Sequence, residues 1–261
     1  MNQKKSSGTE FPAVSVVTLS VDSLLVPMPP KLEVGEVHVW EFPLRISGSA
    51  QTALEKCLSE DEQGRMRRFH ALRDGQRFAA AHGMLRSILA TYTGCPRSQL
   101  KFITSEFGKP RLAGSNSGLR FNLSHSRERA LLGVRRDREI GVDIEAIKQD
   151  VECEKLAKRF FSDREQETLL QMNGEAQIRA FFRCWTCKEA FLKAQAVGLS
   201  RSLESFDIDL QCERARLAAT RPDASEAERW SIVEINAAPG YAAAICIEGR
   251  AETIRLFRYD G

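Results

Sequence analysis

Two stretches decide the fold of this 261-residue chain: RCWTCKEAFLKAQAVGL at Arg183 to Leu199, and GVDIE at Gly141 to Glu145. The first has the apolar spacing of a helix, on which Glu189 and Lys193 lie four residues apart and therefore on one face. The second alternates as a strand does, so its two acids project from the same side of a sheet. Three carboxylates and an ammonium form a group suited to one divalent metal and one phosphoryl group.

Each of these patterns also has an ordinary structural interpretation. Asp143 and Glu145 alone would be an exposed strand face, and Glu189 with Lys193 would be an ion pair worth about 0.2–0.5 kcal/mol. Only the combination of the two patterns predicts a metal site, because Mg²⁺ binds carboxylate oxygens and keeps positions for waters and substrate phosphates.

Apolar periodicity predicts a mixture of helices and short strands in the rest of the chain. Helices are expected in a segment after Ser47 or Ser49 that includes Leu54, Cys57 and Leu58, then at 75–94 with Gly94 as its stop, 151–161, 163–173 and 176–196. Strands are expected at 36–42, 101–104, 121–124, 130–134, 139–145, 205–210, 229–236, 241–247 and 252–257. Each half of the chain has one long helix with short strands, which predicts an α+β fold of two lobes.

The domain boundaries expected on this basis are a partly flexible leader and arm at 1–35, an N-terminal lobe at 36–138 and a C-terminal lobe at 139–261. No apolar run approaches the roughly 20 residues of a membrane span, so a membrane role is not expected. The net charge of +3 is too small to imply nucleic-acid binding. Seven cysteines, an odd and scattered set, argue against a disulfide framework and favour the reducing cytoplasm.

Cys184 and Cys187 form a C-x-x-C motif, which is typical of thioredoxin-like redox sites. Such a motif follows a strand and opens a helix, whereas this pair lies inside the predicted helix at 176–196. This position argues against the redox interpretation, and the absence of a second C-x-x-C or a nearby histidine disfavours zinc.

Polar residues around a second predicted strand end are candidates for phosphate binding. His125 lies in FNLSHS with Asn122 and Ser124, and hydroxyls beside an imidazole can bind phosphate, although a lone loop histidine is usually structural. Lys109 lies in a Gly-Lys-Pro turn. Arginines cluster at 65, 67, 68, 73, 77 and 86, which indicates either an anion-binding face or a solvated helix surface.

The order of the motifs is more specific than any one of them: an arginine-rich helix, FGKPRL, FNLSHS, GVDIE and WTCKEAFLKAQAVGL. This series, from about Arg65 to Leu199, resembles the 4′-phosphopantetheinyl transferases of the larger, surfactin-synthetase-activating type. The resemblance implies transfer of the phosphopantetheine arm of coenzyme A to a serine of an apo carrier protein. Carrier domains of fatty-acid, polyketide and nonribosomal-peptide synthases are the acceptors it implies.

The resemblance also implies a monomer of two pseudo-duplicated α+β lobes, each a small, mostly antiparallel sheet packed with a long helix, with the active site between them. Asp143, Glu145 and Glu189 match the family's Mg²⁺ ligands. Glu189 also matches the candidate general base, which would act directly or through a metal-bound water. Lys193 matches the group that stabilises or protonates the departing adenosine 3′,5′-bisphosphate, and Asp143 completes the catalytic set.

Nucleotide and 3′-phosphate contacts carry over to six positions: Arg65, Arg77, Lys109, Asn122, Ser124 and His125. Glu62 and Phe78 depart from the family pattern, since some relatives have Lys and Thr there, so the nucleotide contacts of this chain are open to variation. Two other functions stay in view: a non-catalytic module of the same fold that binds a carrier or nucleotide, and thiol oxidoreduction.

Overall fold

The computed structural model describes residues 12–20, 29–46, 48–114 and 118–260. The strands in these ranges are β1 Ala13–Ser20, β2 Glu36–Pro43, β3 Phe102–Thr104, β4 Pro110–Leu112, β5 Leu119–Ser126, β6 Arg129–Arg136, β7 Ile140–Ala146, β8 Phe206–Asp209, β9 Arg216–Thr220, β10 Trp230–Ile235, β11 Tyr241–Glu248 and β12 Thr253–Asp260. The α-helices are α1 Gly48–Glu55, α2 Glu60–Arg67, α3 Leu72–Thr93, α4 Cys153–Phe160, α5 Asp163–Leu170 and α6 Gly174–Gln195.

Two sheets pack face to face at the centre of the protein, with strand orders β1-β12-β2-β6-β5 and β10-β11-β7. Alternate side chains of both sheets share one buried core, which includes Val37, Val39, Leu131, Ile254 and Leu256 of the larger sheet and Ile140, Val142, Ile144, Val233, Ile245 and Ile247 of the smaller. A one-residue slip of β7 would bury its acids in this core, so the alternation fixes which way they point.

The two long helices cover the outer faces of the sheets. Helix α3 packs in one apolar cluster with Trp40 and Leu132 of the larger sheet. Helix α6 packs in another with Ala244 and Cys246 of the smaller sheet. Each lobe is therefore a sheet covered by one long helix, and the predicted α+β, two-lobed fold is confirmed.

Helix α6 can lie directly against β7 because Gly141 has no side chain. A Cβ at this position would be 2.1 Å from the carbonyl oxygen of Ala190 and 2.2 Å from the nitrogen of Ala194. Asp143 and Glu145 follow at alternate positions and so share the face of β7 that turns toward α6.

The predicted helices and strands are all present, with some ends displaced. Helix α3 ends at Gly94 as expected, where φ is 65° and the amide donates to Ala90. Cys57 and Leu58, expected within the first helix, follow its end at Glu55. Ser47, one of two candidate caps, lies outside the described residues.

Strands β1, β4 and β9 and helix α2 are additional to the prediction. Helix α2 has no apolar stripe, but its sequence does carry a capping box: Ser59 Oγ accepts from the Glu62 amide, and the Glu62 carboxylate accepts from the Ser59 amide. That spacing of Ser and Glu is the signal that would have found it.

The first and last described strands pair with each other in the larger sheet. Strand β12 lies between β1 and β2 and runs parallel to both, pairing Leu256 with Val39. The last strand thus joins the N-terminal lobe, and residues 13–20, expected in an arm, form an edge strand. Residues 1–11 and 21–28 of that arm lie outside the described ranges. In the part of the chain that the structure describes, we find no helix with the length and apolarity of a membrane span.

Candidate active site

The candidate site lies where β5 and β7, edge strands of the two sheets, meet α6. Side chains of β5 satisfy backbone amides of β7: the Val142 amide donates to Asn122 Oδ1 at 2.8 Å, and the Ala146 amide donates to Ser126 Oγ at 3.1 Å. Because β7 is an edge strand, these bonds replace those of a further strand. The FNLSHS motif therefore joins the two sheets.

Ser124, which lies between Asn122 and Ser126 on β5, contacts Asp143. Ser124 Oγ donates to Asp143 Oδ1 at 2.9 Å, and Lys193 Nζ donates to the same oxygen at 2.5 Å and to Ser124 Oγ at 3.0 Å. Asp143 is only 2% exposed, and its Oδ2 is buried without a hydrogen-bond partner. A buried carboxylate oxygen left unpaired is costly, so this atom fits a position that a cation completes.

The other two acids are strained electrostatically. Burial raises the pKa of Glu145, and the charge of Asp143 adds to the effect, although Ser126 Oγ donates to its carboxylate at 2.7 Å and opposes it. Burial also raises the pKa of Glu189, against the attraction of Lys193 and with the repulsion of the other two acids. Three carboxylates thus repel one another across a space that holds one ammonium.

These residues fit a hard divalent cation by their chemistry. No three His, Cys, Asp or Glu side chains among the described residues converge closely enough to form a ready-made metal cluster. The unpaired oxygen of Asp143 and the mutual repulsion of the acids are, however, what Mg²⁺ relieves. Asp143, Glu145 and Glu189 are the side chains that would hold it.

A cavity of about 310 Å³ opens beside the acids, between α6 and the β3–β4 hairpin. Its walls combine Glu189 and Lys193 with the apolar side chains of Phe107, Leu123 and Leu192. A polar end and an apolar wall suit a phosphate ester with an organic tail. A larger cavity of about 960 Å³ near Trp230 contains none of the predicted site residues, so size alone does not locate the site.

His125 lies near the end of β5 and is exposed, so a ligand can reach it. Partial desolvation and the neighbouring charges of His82 and Lys193 lower its pKa. Glu62, which departs from the family pattern, accepts from Arg86 Nε at 2.6 Å and pairs with His82, and these contacts hold its pKa at about 2. Glu62 therefore links helix α2 to helix α3.

The arginine-rich segment does not form one anion-binding face. Arg65 is exposed and lies over the ring of Phe78, 5.0 Å from its centre. Arg77 is paired with Glu128 and Asp74. Arg86 is buried and donates to Glu62 and two backbone carbonyls. Only some of the arginines are therefore available to a ligand.

Lys109 also lines the cavity of about 310 Å³, but its ammonium binds protein acceptors in place of the expected phosphate. The side chain is 7% exposed and donates to Glu139 Oε2 and to the carbonyl oxygens of Ile140 and Ala194. An ammonium has three hydrogens, and all three have protein acceptors. Asn122 is likewise buried, with its oxygen engaged by β7.

Sequence reasoning missed Lys188, the residue before Glu189. Lys188 is fully buried, forms an ion pair with Glu165 at 2.8 Å, and donates to the carbonyl oxygens of Leu203 and Phe206. A lysine next to an acid on a helix normally indicates an exposed face, so no local signal marks its burial. Its contacts fix α6, and hence Glu189, against α5 and β8.

The two cysteines of the C-x-x-C motif are free and completely buried on α6. Burial raises the pKa of both Cys184 and Cys187 well above the usual thiol value. A buried, protonated thiol is a poor nucleophile, which agrees with a packing role.

Comparisons with known proteins found matching family models and similar proteins. Residues 139–246 match the family model of the 4′-phosphopantetheinyl transferase superfamily, and residues 47–134 match that of the 4′-phosphopantetheinyl transferase N-terminal region. The 4′-phosphopantetheinyl transferase HetI of Nostoc sp. is 40% identical over 90% of this chain and 98% of its own length. The 4′-phosphopantetheinyl transferase Sfp of Bacillus subtilis is 31% identical over 72% of this chain and 81% of its own.

A solved holo-(acyl-carrier-protein) synthase from Bacillus anthracis is similar over 43% of this chain and 96% of that chain, with 17% identity and a TM-score of 0.35. The two family matches cover, between them, the elements that carry the acids, the lysine and the FNLSHS row. Because the 40% identity to HetI extends over nearly the whole of both chains, the protein belongs to the 4′-phosphopantetheinyl transferase family and is of the Sfp-like type.

Proposed function

We propose that the site formed by β5, β7 and α6 is where this transferase passes the phosphopantetheine arm of coenzyme A to a serine hydroxyl of an apo carrier protein. The products are the holo carrier and adenosine 3′,5′-bisphosphate. One observation carries the proposal: Lys193, Ser124 and the buried Asp143 form a single hydrogen-bonded group beside Glu189, at the wall of a cavity.

In the proposed reaction, the serine oxygen bonds to the phosphorus next to the pantetheine, and the bond from that phosphorus to the bridging oxygen of the pyrophosphate breaks. Glu189 takes the serine proton, directly or through a water. Its partly buried position supports this role, because a carboxylate with a raised pKa is a stronger base than a solvated one. Lys193 stabilises the phosphate that departs with the nucleotide.

Transfer depends on Mg²⁺, which Asp143, Glu145 and Glu189 would hold. When bound, the ion supplies positive charge at the pyrophosphate, where negative charge develops. The buried, unpaired Oδ2 of Asp143 supports this assignment.

For the nucleotide and its 3′-phosphate, the proposed contacts are Arg65, Arg77, Ser124 and His125. Asn122 and Lys109 line the cavity of about 310 Å³ beside Glu189 and Lys193. Arg65 and His125 are the most accessible of these side chains. Arg77 would have to exchange one of its carboxylate partners for a phosphate.

The proposed acceptors are carrier proteins or domains of fatty-acid, polyketide or nonribosomal-peptide synthases. The enzyme is proposed to act on them as a monomer in the cytoplasm. Seven free thiols, five of them buried, support a reducing compartment. No role for nucleic acid or membrane is part of the proposal.

Mass spectrometry of an apo carrier incubated with the protein, coenzyme A and Mg²⁺ tests the function. The carrier should gain one phosphopantetheine mass, and chelation of the metal should stop the gain. Asp143→Ala and Glu189→Gln should abolish it, while Glu60→Gln, at an exposed acid of helix α2, should not. Failure of several unrelated carriers to gain mass refutes the proposal, and binding of a carrier without turnover in calorimetry would favour a non-catalytic module.

A further inference from the structure

Lys109, the residue before β4, is a cation near the candidate site whose ammonium makes three hydrogen bonds. Its Nζ donates to Glu139 Oε2 at 2.8 Å, to the Ile140 carbonyl oxygen at 2.8 Å and to the Ala194 carbonyl oxygen at 3.1 Å. With 7% of the residue exposed, the ammonium has little access to water. A buried ammonium whose three hydrogens are satisfied is held firmly, because any movement leaves charge and acceptors unpaired.

Its three acceptors belong to the two elements that carry the catalytic candidates, or to the residue just before one of them. Ile140 is the first residue of β7, three positions before Asp143. Ala194 lies in the last turn of α6, next to Lys193. A lysine near a helix C-terminus can satisfy the last carbonyl groups and favours the negative end of the helix dipole.

The β3–β4 hairpin that supplies Lys109 closes on itself locally. Ser105 and Lys109 exchange backbone and side-chain hydrogen bonds across the turn, with the Lys109 amide donating to Ser105 Oγ at 3.0 Å. The hairpin forms a two-stranded sheet of its own, an arrangement that is only marginally stable without packing. Lys109 is one of the contacts that hold it against α6 and β7.

We infer that Lys109 is a positioning residue, which fixes the end of α6 to the start of β7 and so sets Lys193 against Asp143, rather than a ligand of the nucleotide phosphate. The inference rests on the proposed function of the site. It assigns the lysine of the FGKPRL motif to catalytic geometry, and leaves phosphate contact to side chains such as His125.

Lys109→Met tests this assignment, because methionine keeps much of the length of the side chain and removes the ammonium. The expected result is a fall in kcat of on the order of 10- to 100-fold, with the KM for coenzyme A changed by less than about threefold, since small displacements of catalytic groups act on kcat. The ratio of kcat/KM for coenzyme A to that for 3′-dephospho-coenzyme A should stay as in the wild type. His125→Ala is the comparison in which that ratio should fall.

A second variant keeps the inference testable if Lys109→Met does not fold. Glu139→Gln weakens one acceptor of Lys109 and removes a negative charge. If Lys109 positions α6 and β7, kcat should fall while the KM for coenzyme A does not improve. If Lys109 binds phosphate, the same change frees the ammonium and should lower KM, which would overturn the inference.

Arg111→Gln is the matched control, because Arg111 shares Glu139 but donates to neither α6 nor β7 among its described contacts. Its kcat should remain within about threefold of the wild type. Wild-type kcat in Lys109→Met, or loss of the preference for coenzyme A over its dephospho form in that variant, would refute the inference. A wild-type protein that transfers nothing would instead refute the proposed function, so the two failures are distinguishable.

Discussion

A single methyl group at Gly141 should separate the two halves of the candidate site. The Cβ of Gly141→Ala would lie 2.1 Å from the Ala190 carbonyl oxygen, which is 1.3 Å short of the 3.4 Å at which ordinary van der Waals contact begins. The nearest atoms belong to the backbone of α6, so no side chain can turn aside. Either the helix or the strand must move by about that distance.

The consequence follows from the contact between Lys193 and Asp143. Their hydrogen bond is 2.5 Å long, and a displacement of 1.3 Å along it gives about 3.8 Å, beyond hydrogen-bonding distance. A misplacement of about 1 Å can lower catalysis by about 10²-fold. Overpacking of this kind also destabilises a fold by about 1–3 kcal/mol.

Both effects are measurable on one preparation. The rate of holo carrier formation at saturating coenzyme A should fall by on the order of 10²-fold, and the free energy of unfolding in urea should fall by about 1–3 kcal/mol. Gly64→Ala is the matched control, since a Cβ at this position in α2 meets nothing within 4 Å. It should keep the wild-type rate and gain about 0.5–1 kcal/mol, because alanine favours a helix over glycine. Wild-type rate and stability in Gly141→Ala would refute the close approach of α6 to β7 and the role assigned to it.

Three further predictions address residues of helix α6. Glu189→Gln should abolish transfer and change the pH dependence of stability. Because the pKa of Glu189 is raised in the folded state, wild-type stability falls as pH rises through that pKa, and urea unfolding across pH 4 to 8 should show a weaker fall in the variant. An unchanged dependence of the unfolding free energy on pH would contradict the burial of Glu189. Lys188→Met leaves the buried Glu165 without its cationic partner and should lower the free energy of unfolding by about 3–5 kcal/mol. Changing Glu165 to Gln as well should partly reverse this loss, and wild-type stability in the single variant would show that the pair is not needed. Cys184→Ala with Cys187→Ala should keep the wild-type kcat under reducing and oxidising conditions alike, whereas loss of activity would revive a thiol mechanism.

Local periodicity was sufficient where a residue's role depends on its own element. The alternation in GVDIE places Asp143 and Glu145 on one face because a strand has a period of two, and the structure has that face toward α6. Gly94 ends α3 because a left-handed residue there is best supplied by glycine. The order of the motifs along the chain also indicated the family, and that order can be read without coordinates.

Contacts between distant parts of the chain left no such pattern. Strand β12 pairs with β2 across more than 200 residues, and its own sequence is that of any half-buried strand. The burial of Lys188 and Lys109 was equally hidden, because a lysine in sequence looks solvated until its acceptors are assembled around it.

The sequence by itself therefore determined the family, the two-lobed α+β class and the acids and lysine of the candidate site, since these depend on residue identity and local period. Only the tertiary structure decided that Ser124 joins Lys193 to Asp143, that one oxygen of Asp143 is buried without a partner, and that Lys109 donates to backbone and carboxylate. Those features arise from hydrogen bonds and burial between segments far apart in sequence, and such interactions exist only once the two sheets and α6 have packed together.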